Sequence, residues 1–335
     1  MLRDYSVIRK VAAGFRTELL EFPPHCAFGP RPTCLSSTSS STTTATGQNY
    51  HVLFVFPGNP GNPRFYVPMA RILRQERPYV GVVLVGFSGH SGDSFSVWET
   101  YSVEDQTAMC LGVLREFYTL HHMAEDPSVM VSVAGHSVGA FIAMMAARTQ
   151  FPFTRIFLLT PTLHGLALSP NGRQRSWMLQ PGVRHVIACV LLFFLWLLPR
   201  RCLHGLSRRF HHKDCGPEYT EAVASLASHP FIVFNAMRMG HTEMRRMTTL
   251  ERNFPTTDFV DGVEQVVFYT TPIDQWVPPE NIAAYRAEFG RYKSCVFVHD
   301  EGNEEGWPHG PIPHDWCTGT ATSRRVLEKA VLPYL

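Results

Sequence analysis

The stretch that most restricts what this chain can fold into is Val129–Ala140, which reads Val-Met-Val-Ser-Val-Ala-Gly-His-Ser-Val-Gly-Ala. An apolar, partly β-branched run opens it and ends in small residues. G-x-S-x-G follows as Gly135-His136-Ser137-Val138-Gly139, and Ala140–Ala147 continues in residues of high helix propensity. That is a strand, a sharp turn and a helix with a serine at the apex, the arrangement of a nucleophile elbow. Small neighbours are needed where strand and helix come so close, which is the use of Gly135 and Gly139. The helix aims its positive end at Ser137, and the Val138 N–H is suited to hold an oxyanion. Stripped of chemistry, the same residues are only a small-residue entry into a helix.

The elements on either side repeat one pattern. His51–Phe56 is a continuous apolar run, as expected of a strand buried on both faces. Tyr79–Gly86, Arg155–Thr160, Glu264–Thr270 and Ser294–Val298 read as further strands, and Tyr5–Val11 and Thr17–Phe22 as two short ones ahead of them. Helices are expected at about 65–74, over Val103–His122 (where Met109, Val113, Leu114 and Phe117 form an apolar stripe) and near Ser323–Leu332. Strands alternating with helices predict a doubly wound, mostly parallel sheet. With 335 residues and 45% hydrophobic content, one large α/β domain spanning 1–335 is expected.

Two segments break the pattern. Residues 35–47 are a Ser/Thr tract with almost nothing to bury, read as a disordered insertion, with a phosphorylated regulatory segment as the lesser reading. Residues 161–260 are too long for a loop and too helical in composition for a linker, so a helical lid is expected there. At its centre lies Val186–Leu198, uncharged and closed by Pro199. Arg173, Arg175 and Arg184 precede it; Arg200, Arg201, Arg208, Arg209 and Lys213 follow. Thirteen residues are too few to span a bilayer comfortably. An apolar helix in a basic frame suits insertion into one leaflet or a lipid monolayer, or burial as a lid helix over the site.

Net charge of +2 does not suggest nucleic acid as a partner. Met1–Lys10 holds no apolar run of signal-peptide length, the eight cysteines lack framework spacing, and no N-x-S/T acceptor occurs, so a cytosol-facing environment is expected. Cys202, His204, His211, His212 and Cys215 match no common zinc spacing, and no metal or organic cofactor is expected.

The remaining chemistry falls at strand ends. Pro57-Gly58-Asn59-Pro60-Gly61 follows a buried strand and precedes a helix, where the second oxyanion donor belongs. Asn59 is the candidate, because Pro57 and Pro60 have no N–H. His90, in another small-residue loop, reads as a structural histidine. Asp274 lies just past the 264–270 strand, where the acid of a triad would fix the tautomer of the base; Asp258 and Asp261 precede that strand and lie at its wrong end. For the base, His314 is preferred for its place next to the last helix, with His309 as the alternative and His299 as a structural strand-end residue. Ser137, Asp274, His314 is the chain order of an α/β-hydrolase.

These residues resemble a known family. Pro57-Gly-Asn-Pro-Gly61 with Phe65-Tyr66, Gly135-His-Ser-Val-Gly139, Ser169-Pro-Asn-Gly172, Ile273-Asp274 with Trp276, and Ile312-Pro-His314 look like the lipid-droplet-associated hydrolase family, in the family's order over roughly residues 50–335. The resemblance implies an α/β-hydrolase fold and a triad of Ser137, Asp274 and His314. It also implies association with lipid droplets or endoplasmic reticulum through the apolar segment, and action on sterol esters or other lipid esters. The chain departs from the family in its Ser/Thr insertion and in the long loop, with a second histidine, between the last strand and Ile-Pro-His. A different expectation is a droplet-surface protein of this fold that organises lipid with little or no turnover.

Overall fold

The computed structural model describes residues 4–24, 50–91, 99–120, 129–149, 151–197, 217–302 and 316–335. The Ser/Thr tract at 35–47, both candidate bases His309 and His314, and the cysteine–histidine group at 202–215 lie outside these residues.

In chain order the structure runs β1 (Ser6–Ala12), β2 (Phe15–Phe22), β3 (Tyr50–Phe56), α1 (Val67–Glu76), β4 (Val80–Val85), α2 (Val103–Leu120), β5 (Val129–His136), α3 (Val138–Arg148) and β6 (Arg155–Leu159). A helical insertion follows: α4 (Pro170–Arg175), α5 (Pro181–Leu197), α6 (Pro217–Ser228), α7 (Pro230–Arg246) and α8 (Leu250–Asn253). The chain then returns through β7 (Gln265–Thr270), α9 (Pro279–Phe289), β8 (Cys295–His299) and α10 (Thr320–Val326).

The strands form one eight-stranded sheet, β1-β2-β4-β3-β5-β6-β7-β8. It is parallel from β4 to β8, while β2 runs antiparallel to both its neighbours. The unbroken apolar runs are explained by what covers each face. Val52, Phe54 and Phe56 of β3 belong to the core that the side chains of α2, α3 and α9 build on one face of the sheet, whereas Leu53 and Val55 belong to the core on the other face, with those of α1 and α10. Successive side chains of a strand point to opposite faces, so a strand covered on both sides must be apolar at every position.

The connections also place the site. From β3 the chain moves to β4 on one side, then crosses back to β5 on the other. The loop after β3 and the turn after β5 are therefore neighbours at the carboxyl edge of the sheet, the position where open α/β sheets take ligands.

The strand boundaries agree with the sequence pattern to within a few residues, and β5 extends through Gly135 to His136. Two boundaries differ more. The final helix is regular for only seven residues and then widens into a π turn over Leu327–Val331. Helix α5 begins at Pro181, five residues before the apolar run, so Arg184 lies inside the helix rather than beside it. No helix among the described residues is long and apolar enough to cross a membrane.

Candidate active site

Ser137 stands alone between β5 and α3 with φ 55° and ψ −119°. This is left-handed backbone that a residue with a Cβ adopts only where its surroundings enforce it. Packing on both sides does so. A Cβ on Gly135 would lie 2.4 Å from the Gly139 carbonyl oxygen, and one on Gly139 would lie 2.2 Å from the Phe56 oxygen. Strand, helix and neighbouring strand meet through bare backbone, and the turn has no room to relax. The Ser137 N–H donates to the Leu159 carbonyl at 3.1 Å, while its own carbonyl accepts from Ala140 and Thr162. Ser137 is partly exposed between fully buried neighbours, and the Val138 N–H, first of α3, has no partner among the described residues.

The loop after β3 lies against this turn, since a Cβ on Gly58 would approach Ser137 Cβ to 3.3 Å. Its donors can be accounted for one by one. Pro57 and Pro60 have none. The Gly58 N–H donates to the Tyr66 hydroxyl at 2.7 Å, and the Gly61 N–H donates to His90 Nδ1 at 2.8 Å. Only the Asn59 N–H has no partner among the described residues. The same contacts explain His90: it accepts a hydrogen bond at Nδ1, and burial holds its pKa down at about 3, so it is a neutral acceptor shaping the loop. Tyr66 ties the loop to the elbow, sharing a 2.6 Å hydrogen bond with His136 Nδ1. Burial, followed by the neighbouring Cys317, pushes the Tyr66 phenol well above its ordinary value, so the hydroxyl keeps its proton.

Asp274 follows β7 at the same edge and is buried. Its Oδ1 accepts from the N–H groups of Trp276 at 2.8 Å and Val277 at 3.1 Å, which fixes the direction of the carboxylate. The Ser-Pro-Asn-Gly stretch has a role here. Ser169 caps α4 through the Gly172 N–H, and the Asn171 N–H donates to the Gln275 carbonyl at 3.1 Å, so α4 braces the turn that carries Asp274. Asp258 lies at the other end of β7, bonded to the Tyr292 hydroxyl. His299 ends β8 and shares a hydrogen bond with Thr270 Oγ1.

Residues 303–315, with both candidate bases, are bracketed by two fixed points. Asp300 accepts two hydrogen bonds from Arg325, at 2.6 and 2.8 Å, and one from the Tyr269 hydroxyl. At the other end Trp316 is fully buried, with its ring 5.2 Å from that of His136, the residue before Ser137. Neither anchor was evident from sequence, because an aspartate after a strand and a tryptophan before a helix carry no pattern of their own.

In the helical insertion, α5 packs against α7 with Arg184 and Ala188 buried, the Arg184 guanidinium lying over the Phe234 ring. The opposite face of α5 presents Val186, Val190, Phe193 and Phe194 to solvent, each between 47% and 64% exposed. This helix is therefore packed on one side and bare and apolar on the other. Among the described residues no group of three potential ligands could hold a metal ion.

Comparisons with known proteins agree with the motifs. Residues 49–317 match the family described as lipid-droplet associated hydrolase. Relatives bearing the name lipid droplet-associated hydrolase include those of Homo sapiens, 26% identical with 78% of this chain and 80% of that protein covered, and of Drosophila melanogaster, 23% identical with 68% and 74% covered. Among solved structures, a thermophilic esterase from Thermogutta terrifontis superposes with TM-score 0.52 at 14% identity, covering 96% of this chain and 97% of that one. A putative lipase from Acinetobacter baumannii AYE gives 0.57 at 12% identity, covering 97% and 89%. At such identities the structural likeness shows the fold, and that fold is the α/β-hydrolase.

Proposed function

The chain belongs to the lipid-droplet-associated hydrolase family, and on that footing we propose that it is a serine hydrolase that cleaves carboxylic esters of lipids, of the sterol-ester or acylglycerol type. It works at the cytosolic face of a lipid droplet or of the endoplasmic reticulum. The observation that carries the reading is a strained, partly exposed Ser137 beside two N–H groups, of Val138 and Asn59, that have no partner among the described residues and are contributed by adjacent turns. Such donors act on the charge that develops as an ester carbonyl is attacked.

In the proposed reaction His314 takes the Ser137 proton as the hydroxyl oxygen bonds to the ester carbonyl carbon, and Asp274 holds the imidazolium that results. The tetrahedral oxyanion is received by the Val138 and Asn59 N–H groups. Collapse breaks the bond to the alcohol, which leaves with the proton from His314. A water, deprotonated by the same histidine, then attacks the acyl-enzyme and releases the acid. Preference for His314 over His309 is supported by its place in the sequence, two residues before Trp316, whose ring lies 5.2 Å from that of His136, against seven for His309.

Residues 161–260 serve as the lid, and the bare face of α5 rests on the lipid monolayer. Its exposed valine and phenylalanine side chains support this role, since a contiguous apolar face left open to water marks an interaction surface. That face serves equally a droplet-surface protein without meaningful turnover, and one experiment separates the two. Ser137→Ala is expected to abolish both turnover of emulsified lipid esters and labelling by a serine-directed fluorophosphonate. Equal labelling of wild type and variant excludes Ser137 as nucleophile, and equal rescue of a droplet phenotype favours the non-catalytic role.

A further inference from the structure

The Asn59 side chain faces away from the reaction. Its carboxamide nitrogen donates to the Ala236 carbonyl at 2.9 Å and to Glu243 Oε1 at 2.9 Å, both on α7. These two bonds use both amide protons. The oxyanion loop is therefore held from two sides, by the Tyr66 hydroxyl at Gly58 and by a helix of the insertion at Asn59.

Glu243 is unusual in itself. It is 5% exposed and makes no ion pair among the described residues, although Arg245 and Arg246 follow it by two and three residues. Arg246 turns instead to Asn253 Oδ1 and towards Glu104 of α2, and Arg184 of α5 lies over Phe234. His241 of α7 is held below its ordinary value by burial first and then by the charges of Arg184, Arg245 and Arg238. Among the described residues, Asn59 alone acts on the Glu243 carboxyl; its hydrogen bond opposes a larger effect of burial, and the pKa is pushed up to about 7. A surface carboxylate needs no such placement, and a structural one is ordinarily paired. Asn59 Oδ1 is also buried and lacks a donor among the described residues. A proton on the Glu243 carboxyl would supply one, making an acid–amide pair in which each group donates and accepts.

We propose that Glu243 is a positioning residue for the oxyanion hole: acting through the Asn59 carboxamide, it holds the 57–61 loop so that the Asn59 N–H meets the developing oxyanion, and so makes the hole depend on helix α7. The proposal rests on the serine-hydrolase reading above. It gives the insertion a catalytic consequence beyond covering the site, because a displaced α7 takes the Asn59 donor with it.

The test uses the full-length protein, a soluble short-chain p-nitrophenyl ester, and the rate of fluorophosphonate labelling. Asn59→Ala keeps the backbone donor and removes its anchor; Glu243→Ala removes the other half. Each is expected to lower kcat and labelling rate about tenfold or more, less than outright loss of a donor, with KM within about twofold. The double variant should fall no further than the worse single one, because one linkage is broken in every case. Glu243→Gln, which keeps the geometry and stays neutral, should recover at least about half the wild-type rate. It should also lack a decline in wild-type kcat as pH rises through about 7, where an anion forms beside the hole; titration of a histidine base gives the opposite, acid-side limb. Wild-type kcat in Glu243→Ala, or additive losses in the double variant, overturns the proposal while Ser137-dependent labelling leaves the reaction standing. Labelling that survives Ser137→Ala overturns the reaction itself. Should Glu243→Ala not fold, Asn59→Ala and Glu243→Gln still decide.

Discussion

Ser137 occupies backbone that disfavours any side chain, and the strain has a measurable counterpart. Replacing it by glycine removes the Cβ that makes φ 55° unfavourable. Ser137→Gly is expected to be more stable than Ser137→Ala by about 1 kcal/mol, against the usual penalty for glycine, with both inactive. Denaturant midpoints with equal slopes would report it, and a less stable glycine variant would show that the turn is not strained. The serine was legible because the turn can be built in few ways, and Gly135-His-Ser-Val-Gly139 states them. The prolines point to Asn59 as a candidate donor in the sequence, and in the structure the N–H groups of Gly58 and Gly61 are bonded to Tyr66 and His90. Glu243 was not legible. A glutamate on an amphipathic helix reads as solvated surface, and nothing local says that its face is turned onto a loop 184 residues earlier.

Among elements, α5 is the one whose composition left two readings open. From Val186 on its sequence is apolar all round, which fits a buried helix or a lipid-seated one. Packing on α7 covers only part of it and leaves Val186, Val190, Phe193 and Phe194 outside. Burying one such side chain in lipid is worth about 1.5–3 kcal/mol, or roughly ten- to a hundredfold in partitioning. Val190→Asp and Phe194→Asp are therefore each expected to weaken flotation with phospholipid-coated triacylglycerol emulsions by at least about tenfold, while turnover of a soluble ester stays near wild type. Unchanged flotation of both variants would remove α5 from the lipid contact. The helix began earlier than its apolar run because Pro181 fits a first turn and Gly182 and Val183 do not interrupt it.

For the molecule as a whole, buried neutral histidines set the response to acid. Burial holds His90 at about 3, and burial and then Arg155 hold His51 at about 4, both below the ordinary 6.5. Each bonds as a neutral ring, His90 accepting from Gly61 and His51 sharing a hydrogen bond with Ser132. The unfolded chain binds these protons first, so their contribution is complete above pH 6.5 and is lost progressively as pH falls towards 3–4. Glu243 has the opposite sign: raised to about 7, it favours the fold below 4.5 and loses that contribution as pH rises to 7. Measured in a Glu243→Gln background, thermal stability should be level above about pH 6.5 and decline below it. His90→Asn, which keeps an acceptor near the Nδ1 position but cannot be protonated there, should make that decline shallower. An identical acid limb in the two proteins would rule out His90 as a contributor. By itself, the sequence determined the layered α/β architecture, the sharp turn at Ser137 and the end of the sheet at which Asp274 lies, because each is written in contiguous residues: apolar runs, small-residue turns and strand-to-helix order. Only tertiary structure decided which loop donor lacks a partner among the described residues, that Trp316 lies against His136, which face of α5 stays bare and that Glu243 grips Asn59. Those follow from distant segments brought together by burial on two sides of a sheet, and no periodicity within a segment encodes what its neighbour across space will be.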